Sequence, residues 1–328
     1  MSTPGPPLHL HETGEEMTKV IVTGGNRGVG LATARNLAGR GYDLILVCRD
    51  RARGEAALES LHSPHNLGSH RVVAADLASL DSVRAAAERI AETGTPIRAL
   101  VNNAACLPRK RLTSHDGFEL RLAVTHLGHF LLTHLLLPRL RAAPVPGRVV
   151  TVSSAAHSGP PFNFRDPNFE RRRYRRRQAY QQSKLANVLF TLGLARRVAG
   201  TGVQAVALHP GVYDTGLLRD YMGRIPGGGI AARIGTAGAE KAGPVVAELA
   251  VGRRDEDLNG AYFHKTVRAD PSSAARDTGA QERLWSWSAE AVGAEEADAN
   301  VGTRSDPRSG DQRELEAFLR DSHEPPLR

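Results

Sequence analysis

The chain has 328 residues, 41% of them hydrophobic, which is enough for one large α/β domain with tails or for two small domains. Its two cysteines, Cys48 and Cys106, make neither a disulfide framework nor a zinc cluster, and this suits a reducing, cytoplasmic setting. Much of the net charge of +8 is local, and no helix-turn-helix, zinc-finger or stacking-aromatic pattern goes with it, so nucleic acid is not the expected partner.

Residues 1–17 carry prolines, acids and histidines without a basic n-region or an apolar h-region. They read as a disordered leader rather than a secretion signal, with Met17 as an alternative start. Val20–Thr23 is a short β-branched run and predicts a strand. Gly24-Gly25-Asn26-Arg27-Gly28-Val29-Gly30 follows, opening a helical pattern over Val29–Arg40. Glycines at such a turn let the backbone approach a pyrophosphate, and the helix N-terminus offers free amides to it. Gly24, Gly28 and Gly30 are therefore candidate cofactor contacts, with Thr23, Asn26 and Val29 beside them.

Further strands are predicted at Leu44–Cys48, Arg71–Ala75, Ala99–Asn102, Arg148–Val152 and Gln204–Leu208. Helices are predicted at Arg51–Leu61, Leu80–Glu92, Phe118–Leu140 and Tyr180–Ala199. Strands alternating with helices argue for a parallel sheet covered on both faces, and right-handed crossovers make it doubly wound. Arg49 follows the second strand, and Arg27 lies in the glycine loop. Two guanidinium groups suit a 2′-phosphate, which an acid would repel, so NADP(H) is the expected cofactor. Asp50 is the competing feature: a strand ending later would aim it at the ribose.

No apolar run reaches the roughly 18–20 residues that span a bilayer. The longest, Leu127 to Leu137, is interrupted by His129, Thr133 and His134. His126 and His129 stand three apart on a predicted helix, but no third ligand is evident nearby, so structural histidines are expected and no metal. Pro161 to Arg177 reads as an excursion ending in six arginines over seven positions, 171–177. That run is either a solvated loop near an anionic ligand or an anion-binding surface. Thr215 to Gly235, with Gly227-Gly228-Gly229, has the composition of a lid. A last helix is expected at Glu282–Val292 with Trp285 as a core anchor, and a disordered tail beyond Gly293.

Tyr180 and Lys184, four apart on a predicted helix, share a face. The lysine ammonium favours the phenolate and so turns a poor proton carrier into a useful one. Ser153-Ser154 ends the fifth strand, where a hydroxyl either holds a substrate oxygen or merely caps a turn.

In this order, glycine loop, Ser153-Ser154 and Tyr180-x-x-x-Lys184, the chain resembles the short-chain dehydrogenase/reductase family from about Lys19 to Trp287. The resemblance implies a single Rossmann-fold domain over residues 18–293. It implies Tyr180 as the proton donor to a carbonyl, Ser154 rather than Ser153 on the same oxygen, and Lys184 on the nicotinamide ribose. It also implies Asp76-Leu77 at the adenine, Asn103-Ala104 in the turn after the fourth strand, and Pro210-Gly211 with Thr215 over the nicotinamide. Ala105 replaces the usual final glycine of that turn.

Val124-Thr125-His126-Leu127-Gly128-His129-Phe130, Ala156-His157 and His209-Pro210-Gly211-Val212 are similar to the retinol-dehydrogenase-like branch. Thr125 stands where that branch has an asparagine supporting a proton-relay water. The branch implies a bulky lipophilic alcohol, aldehyde or ketone as substrate, with walls from the 161–177 excursion and from Leu217, Leu218, Tyr221 and Met222. A chain rich in Ala, Arg and Gly suits a bacterial ketoreductase of an aromatic polyketide or other secondary metabolite, with a retinal/retinol enzyme as the alternative. A non-catalytic NADP(H)-binding sensor is the reading from a different class, supported by Thr125 and Ala105. A monomer or a homodimer is expected.

Overall fold

The computed structural model describes residues 18–61, 69–211, 228–253 and 257–294, with backbone only over 228–237. These lie within the first of two compact units, Met1–Glu295. The expected leader, the tail, and the lid residues Thr215, Leu217, Leu218, Tyr221 and Met222 fall outside the described residues.

Six strands sit where the sequence places them: β1 Lys19–Thr23, β2 Asp43–Cys48, β3 Arg71–Ala74, β4 Ile97–Asn102, β5 Gly147–Val152 and β6 Val203–His209. Two short strands are added, β7 Tyr262–His264 and β8 Val267–Ala269. The sheet order is β3-β2-β1-β4-β5-β6-β7-β8, parallel throughout except for β8. Crossover helices are α1 Gly28–Gly39, α2 Arg51–Glu59, α3 Leu80–Ala91, α5 Gly128–Arg141 and α6 Arg176–Arg197. The chain runs outward from β1 to β3 and then restarts beyond β1 at β4. The crevice at the carboxyl ends of β1 and β4 is therefore the topological switch point, where such sheets take their ligands.

Alternate side chains feed two cores. Val20, Val22, Leu44, Leu46, Val101 and Val206 pack with Leu37 on one face. Ile21, Ile45, Leu100 and Val149 pack with Ile90, Phe130, Leu136 and Leu194 on the other. Period-two alternation in a sheet covered on both sides leaves nearly every strand residue buried.

The predicted helix Phe118–Leu140 is broken into pieces. A single turn, α4 Leu120–Leu122, leads into a π-helical turn Ala123–Leu127, and only then does α5 begin. One extra residue in the turn re-aims Thr125 and His129, and such bulges recur at functional sites. Contrary to the sequence expectation, the 22 residues Leu120–Arg141 are long and apolar enough to cross a membrane. Here 72% of the apolar stretch is buried inside the protein, because it packs on the sheet beside α3. The last helices are α7 Gly228–Val251, α8 Ser273–Arg276 and α9 Thr278–Val292.

Candidate active site

The glycine loop turns sharply after β1. A Cβ built on Gly30 would lie 2.3 Å from the Gly24 carbonyl oxygen and 2.6 Å from Asn103 Nδ2, so no larger residue fits. A Cβ on Gly28, where φ is +56°, would meet nothing within 4 Å. The loop is thus packed hard against the β4 turn on one side and open at the start of α1. Arg27 precedes α1 without a side-chain cap, and the first turn holds no acid. Free amides beside an open glycine fit a pyrophosphate.

Thr23 occupies a different place from the one expected. It is fully buried, and its hydroxyl accepts the amides of Asn103 and Ala104 at 2.9 and 3.0 Å. Asn103 Nδ2 returns a bond to the Thr23 carbonyl at 2.9 Å. Thr23 Oγ1 also lies 2.8 Å from His129 Nε2, and His129 Nδ1 is 3.0 Å from the Thr125 carbonyl. Burial pushes the His129 pKa down to about 4, so the ring is neutral at pH 7. A carbonyl only accepts; the single ring proton therefore belongs on Nδ1, and Nε2 accepts from the Thr23 hydroxyl, whose one proton also faces the Val101 carbonyl at 3.2 Å. The chain of bonds ties the dinucleotide floor to the π-helical turn. His126 is also a core residue, with Nε2 2.7 Å from Ser288 Oγ. His129 is thus held through both ring nitrogens and His126 through Nε2, each by its own partner.

One prediction follows for this hub. His129→Phe should weaken NADPH binding roughly 5- to 10-fold, the worth of about one net hydrogen bond, and Thr23→Val, which also strips the Asn103 and Ala104 amides of their acceptor, should weaken it more. Because the bond to His129 is already lost in Thr23→Val, the double variant should be little worse than Thr23→Val alone. Fluorescence titration of the dissociation constants checks this, and fully additive losses would contradict it.

Arg27 and Arg49 are both exposed and have no described partner. Strand β2 ends at Cys48, and Asp50 becomes the N-cap of α2, accepting the Arg53 amide at 3.1 Å. Asp76 folds back on the Ala78 amide at 2.9 Å, while Ser79, not Asp76, caps α3. Leu77 is largely buried in the core beneath. Pro210 and Gly211 close β6, and Gly211 has a φ of +118°.

Ser154 and Tyr180 line one cleft of about 690 Å³, together with Ala155, Gly159, Arg177 and Gln181. Ser154 begins a short 3-10 turn and is half-buried; Ser153 is buried, with its hydroxyl on the Lys184 carbonyl at 2.8 Å. Ser153 is thus tied into the scaffold, and Ser154 stands at the cleft. His157 straps the turn in place. Its Nδ1 is 2.8 Å from the Ser154 carbonyl, and its Nε2 accepts the Ser272 amide at 3.0 Å.

Lys184 lies one turn along α6 from Tyr180 and is 3% exposed. Its Nζ donates to the Val152 carbonyl at 2.9 Å, which Asn187 Nδ2 also reaches at 3.2 Å. Burial pushes its pKa from the ordinary 10.5 down to about 8. The Thr125 hydroxyl is buried and has no hydrogen-bond partner among the described residues. Sequence reasoning found Tyr180 and Lys184 through their spacing. It missed the roles of His129 and His157, whose partners are 106 and 115 residues away.

A short chain dehydrogenase family model matches residues 18–223. The chain is 40% identical over 285 residues to human retinol dehydrogenase 13, covering 84% of this chain and 85% of that one. Among solved structures, an uncharacterized protein from Mycobacterium paratuberculosis is similar with TM-score 0.67 and 35% identity, over 84% of this chain and 93% of the other. A short chain dehydrogenase from Burkholderia cenocepacia, solved in complex with NADP, is similar with TM-score 0.58 and 26% identity, over 76% of this chain and 96% of the other.

Proposed function

The chain belongs to the short chain dehydrogenase family, and on that premise we propose that it is an NADPH-dependent reductase of lipophilic ketones and aldehydes, with Tyr180 as the proton donor. The observation that carries this reading is the cleft shared by Ser154 and Tyr180, with the buried amine of Lys184 one helical turn away. Bound NADPH supplies the hydride. Ser154 holds the substrate oxygen, and Tyr180 delivers a proton to it. Lys184, as an ammonium, favours the phenolate that remains. Thr125 is the relay position, its hydroxyl the group available to a water.

Preference for NADP(H) rests on Arg27 and Arg49, exposed at the open end of the glycine loop, with Asp50 tied up as a cap. Arg49→Asp should shift the ratio of kcat/KM for NADPH over NADH toward NADH by at least roughly tenfold, the worth of a charge-assisted bond. Unchanged preference in a two-cofactor assay would refute the 2′-phosphate argument.

The similarity to a retinol dehydrogenase over most of both chains favours a second reading, oxidation or reduction at a retinol-like alcohol or aldehyde. A ketone of an aromatic polyketide belongs to the same lipophilic class. Following NADPH absorbance against long-chain aldehydes, retinal and polycyclic ketones tests all of these. Tight NADPH binding without oxidation by any member of the panel would favour a cofactor-binding sensor instead.

A further inference from the structure

The cleft wall that carries Ser154 hangs on one buried side chain. Ser154 begins the 3-10 turn Ala155–Ser158, and Ala155, Ala156, Ser158 and Gly159 line the cleft beside it. His157 turns away from the cleft and is 4% exposed. Bonds within the turn are local: the Ala156 amide reaches Ser154 Oγ at 3.2 Å, and the Gly159 amide reaches the Ala156 carbonyl at 3.1 Å. Among the described residues, the turn's hydrogen bonds to the rest of the fold run through His157. The Ser272 amide donates to its Nε2 at 3.0 Å, and Ser272 Oγ donates to its backbone carbonyl at 3.3 Å. The Tyr262 ring lies beside the imidazole, with centroids 4.8 Å apart.

These partners fix the chemistry of the ring. Nε2 faces an N–H, so it must hold a lone pair. The single proton of a neutral imidazole then sits on Nδ1, which donates to the Ser154 carbonyl at 2.8 Å. Burial lowers the His157 pKa from its ordinary 6.5 and so favours this neutral form. The His157 amide donates to the same carbonyl at 3.1 Å. The Ser154 backbone is thus gripped at its carbonyl, and the rotamers open to a side chain depend on its backbone.

We infer that His157 is a positioning residue for the reaction: held from behind by the Ser272 amide, its Nδ1–H sets the direction of the Ser154 hydroxyl. Tyr262 and Ser272, more than 100 residues further along the chain, thereby act on the chemistry through Ser154. The inference rests on the reductase reading, through the role given there to Ser154.

The test is a mutant cycle in the full chain, with NADPH and a lipophilic ketone that the native protein reduces. His157→Phe fills the space and loses both ring bonds. It should lower kcat roughly 30- to 100-fold, the scale on which a misplacement of about 1 Å acts, and leave the NADPH dissociation constant within about twofold. In the Ser154→Ala background the same change should lower kcat by less than about twofold, because the hydroxyl that it positions is gone. His157→Asn keeps a donor near the Nδ1 position and should recover most of the lost rate. Ser272→Pro suits the local φ of −55° and puts a ring carbon where the amide hydrogen was. It should slow the native protein and spare Ser154→Ala, and it takes the place of His157→Phe in the cycle if that variant does not fold. No turnover by the native protein, or a Ser154→Ala variant as fast as native, defeats the proposed function and this inference with it. An equal loss in both backgrounds, no loss in either, or no recovery with asparagine overturns the inference alone.

Discussion

Tyr180→Phe should lower kcat roughly 10³-fold while leaving the NADPH dissociation constant within a fewfold of native. General acid catalysis by a placed side chain is typically worth about 10²–10⁴ in rate, and phenylalanine keeps the ring but loses the transferable proton. On the proposed reading the dinucleotide is held mainly elsewhere, by the glycine loop, the Asn103–Ala104 turn and the start of α1, with the Tyr180 hydroxyl turned to the substrate. Binding and chemistry are therefore separable, and the loss belongs in kcat. Stopped-flow single turnovers beside a cofactor titration make the comparison. A phenylalanine variant that turns over at a tenth of the native rate would reject Tyr180 as donor. Weakened NADPH binding equal to the loss in rate would move its role from proton transfer to binding.

Lys184→Met should abolish turnover and at the same time stabilise the fold. The folded-state pKa of about 8 lies below the ordinary 10.5 because burial penalises the ammonium. Below pH 8 the amine is charged both folded and unfolded, and the buried charge costs about 3 kcal/mol. Between pH 8 and 10.5 the unfolded chain holds more protons than the folded one, so native stability rises with pH across that window and the penalty disappears above it. Methionine fills similar space without the charge. It forfeits one bond to the Val152 carbonyl, worth about 1 kcal/mol, but that carbonyl keeps Asn187. The net gain near pH 7 is about 2 kcal/mol, a rise of several degrees in Tm. The gain should vanish when melting is repeated near pH 10.5. A methionine variant less stable than native at pH 7 would mean that the ammonium is better satisfied in the apo protein than its contacts indicate.

The alternation of β-branched runs with helical patterns made the parallel sheet legible, since each central strand is a four- to six-residue buried run. β7 and β8 escaped because three residues carry no period. Helix α7 was read as part of a lid as far as Gly235, because Gly227-Gly228-Gly229 has a turn's composition. In the fold, α7 lies along α1, tied by Arg35–Glu240 at 2.9 Å and Arg40–Glu248 at 3.0 Å. The single long helix predicted over Phe118–Leu140 missed its π-helical turn, because one inserted residue leaves hydrophobic spacing nearly unchanged.

At the site, residues close in sequence were readable and residues close only in space were not. Tyr180 and Lys184 are joined by helical spacing alone. Thr23 was assigned to the cofactor because it adjoins the glycine loop, but β4 brings Asn103 and Ala104 onto its hydroxyl first. Asp50 was ambiguous until the strand end was fixed, after which its carboxylate had an amide to cap. The arginine run looked uniform because charge alone was visible. Arg172 and Tyr174 are half-buried against Asp166, Gln182 and Glu119, which arrive from elsewhere, while Arg171, Arg173 and Arg175 face solvent.

Isotope transfer tests the central assignment most directly. Native protein and Tyr180→Phe, both saturated with NADPH deuterated at the transferring position, are incubated with a panel of lipophilic aldehydes and ketones, and the products are weighed by mass spectrometry. The cleft chemistry described here predicts one deuterium on the carbinol carbon per NADPH consumed by the native protein, and almost none from the variant. Label transferred equally by both proteins, or by neither despite bound NADPH, would contradict it.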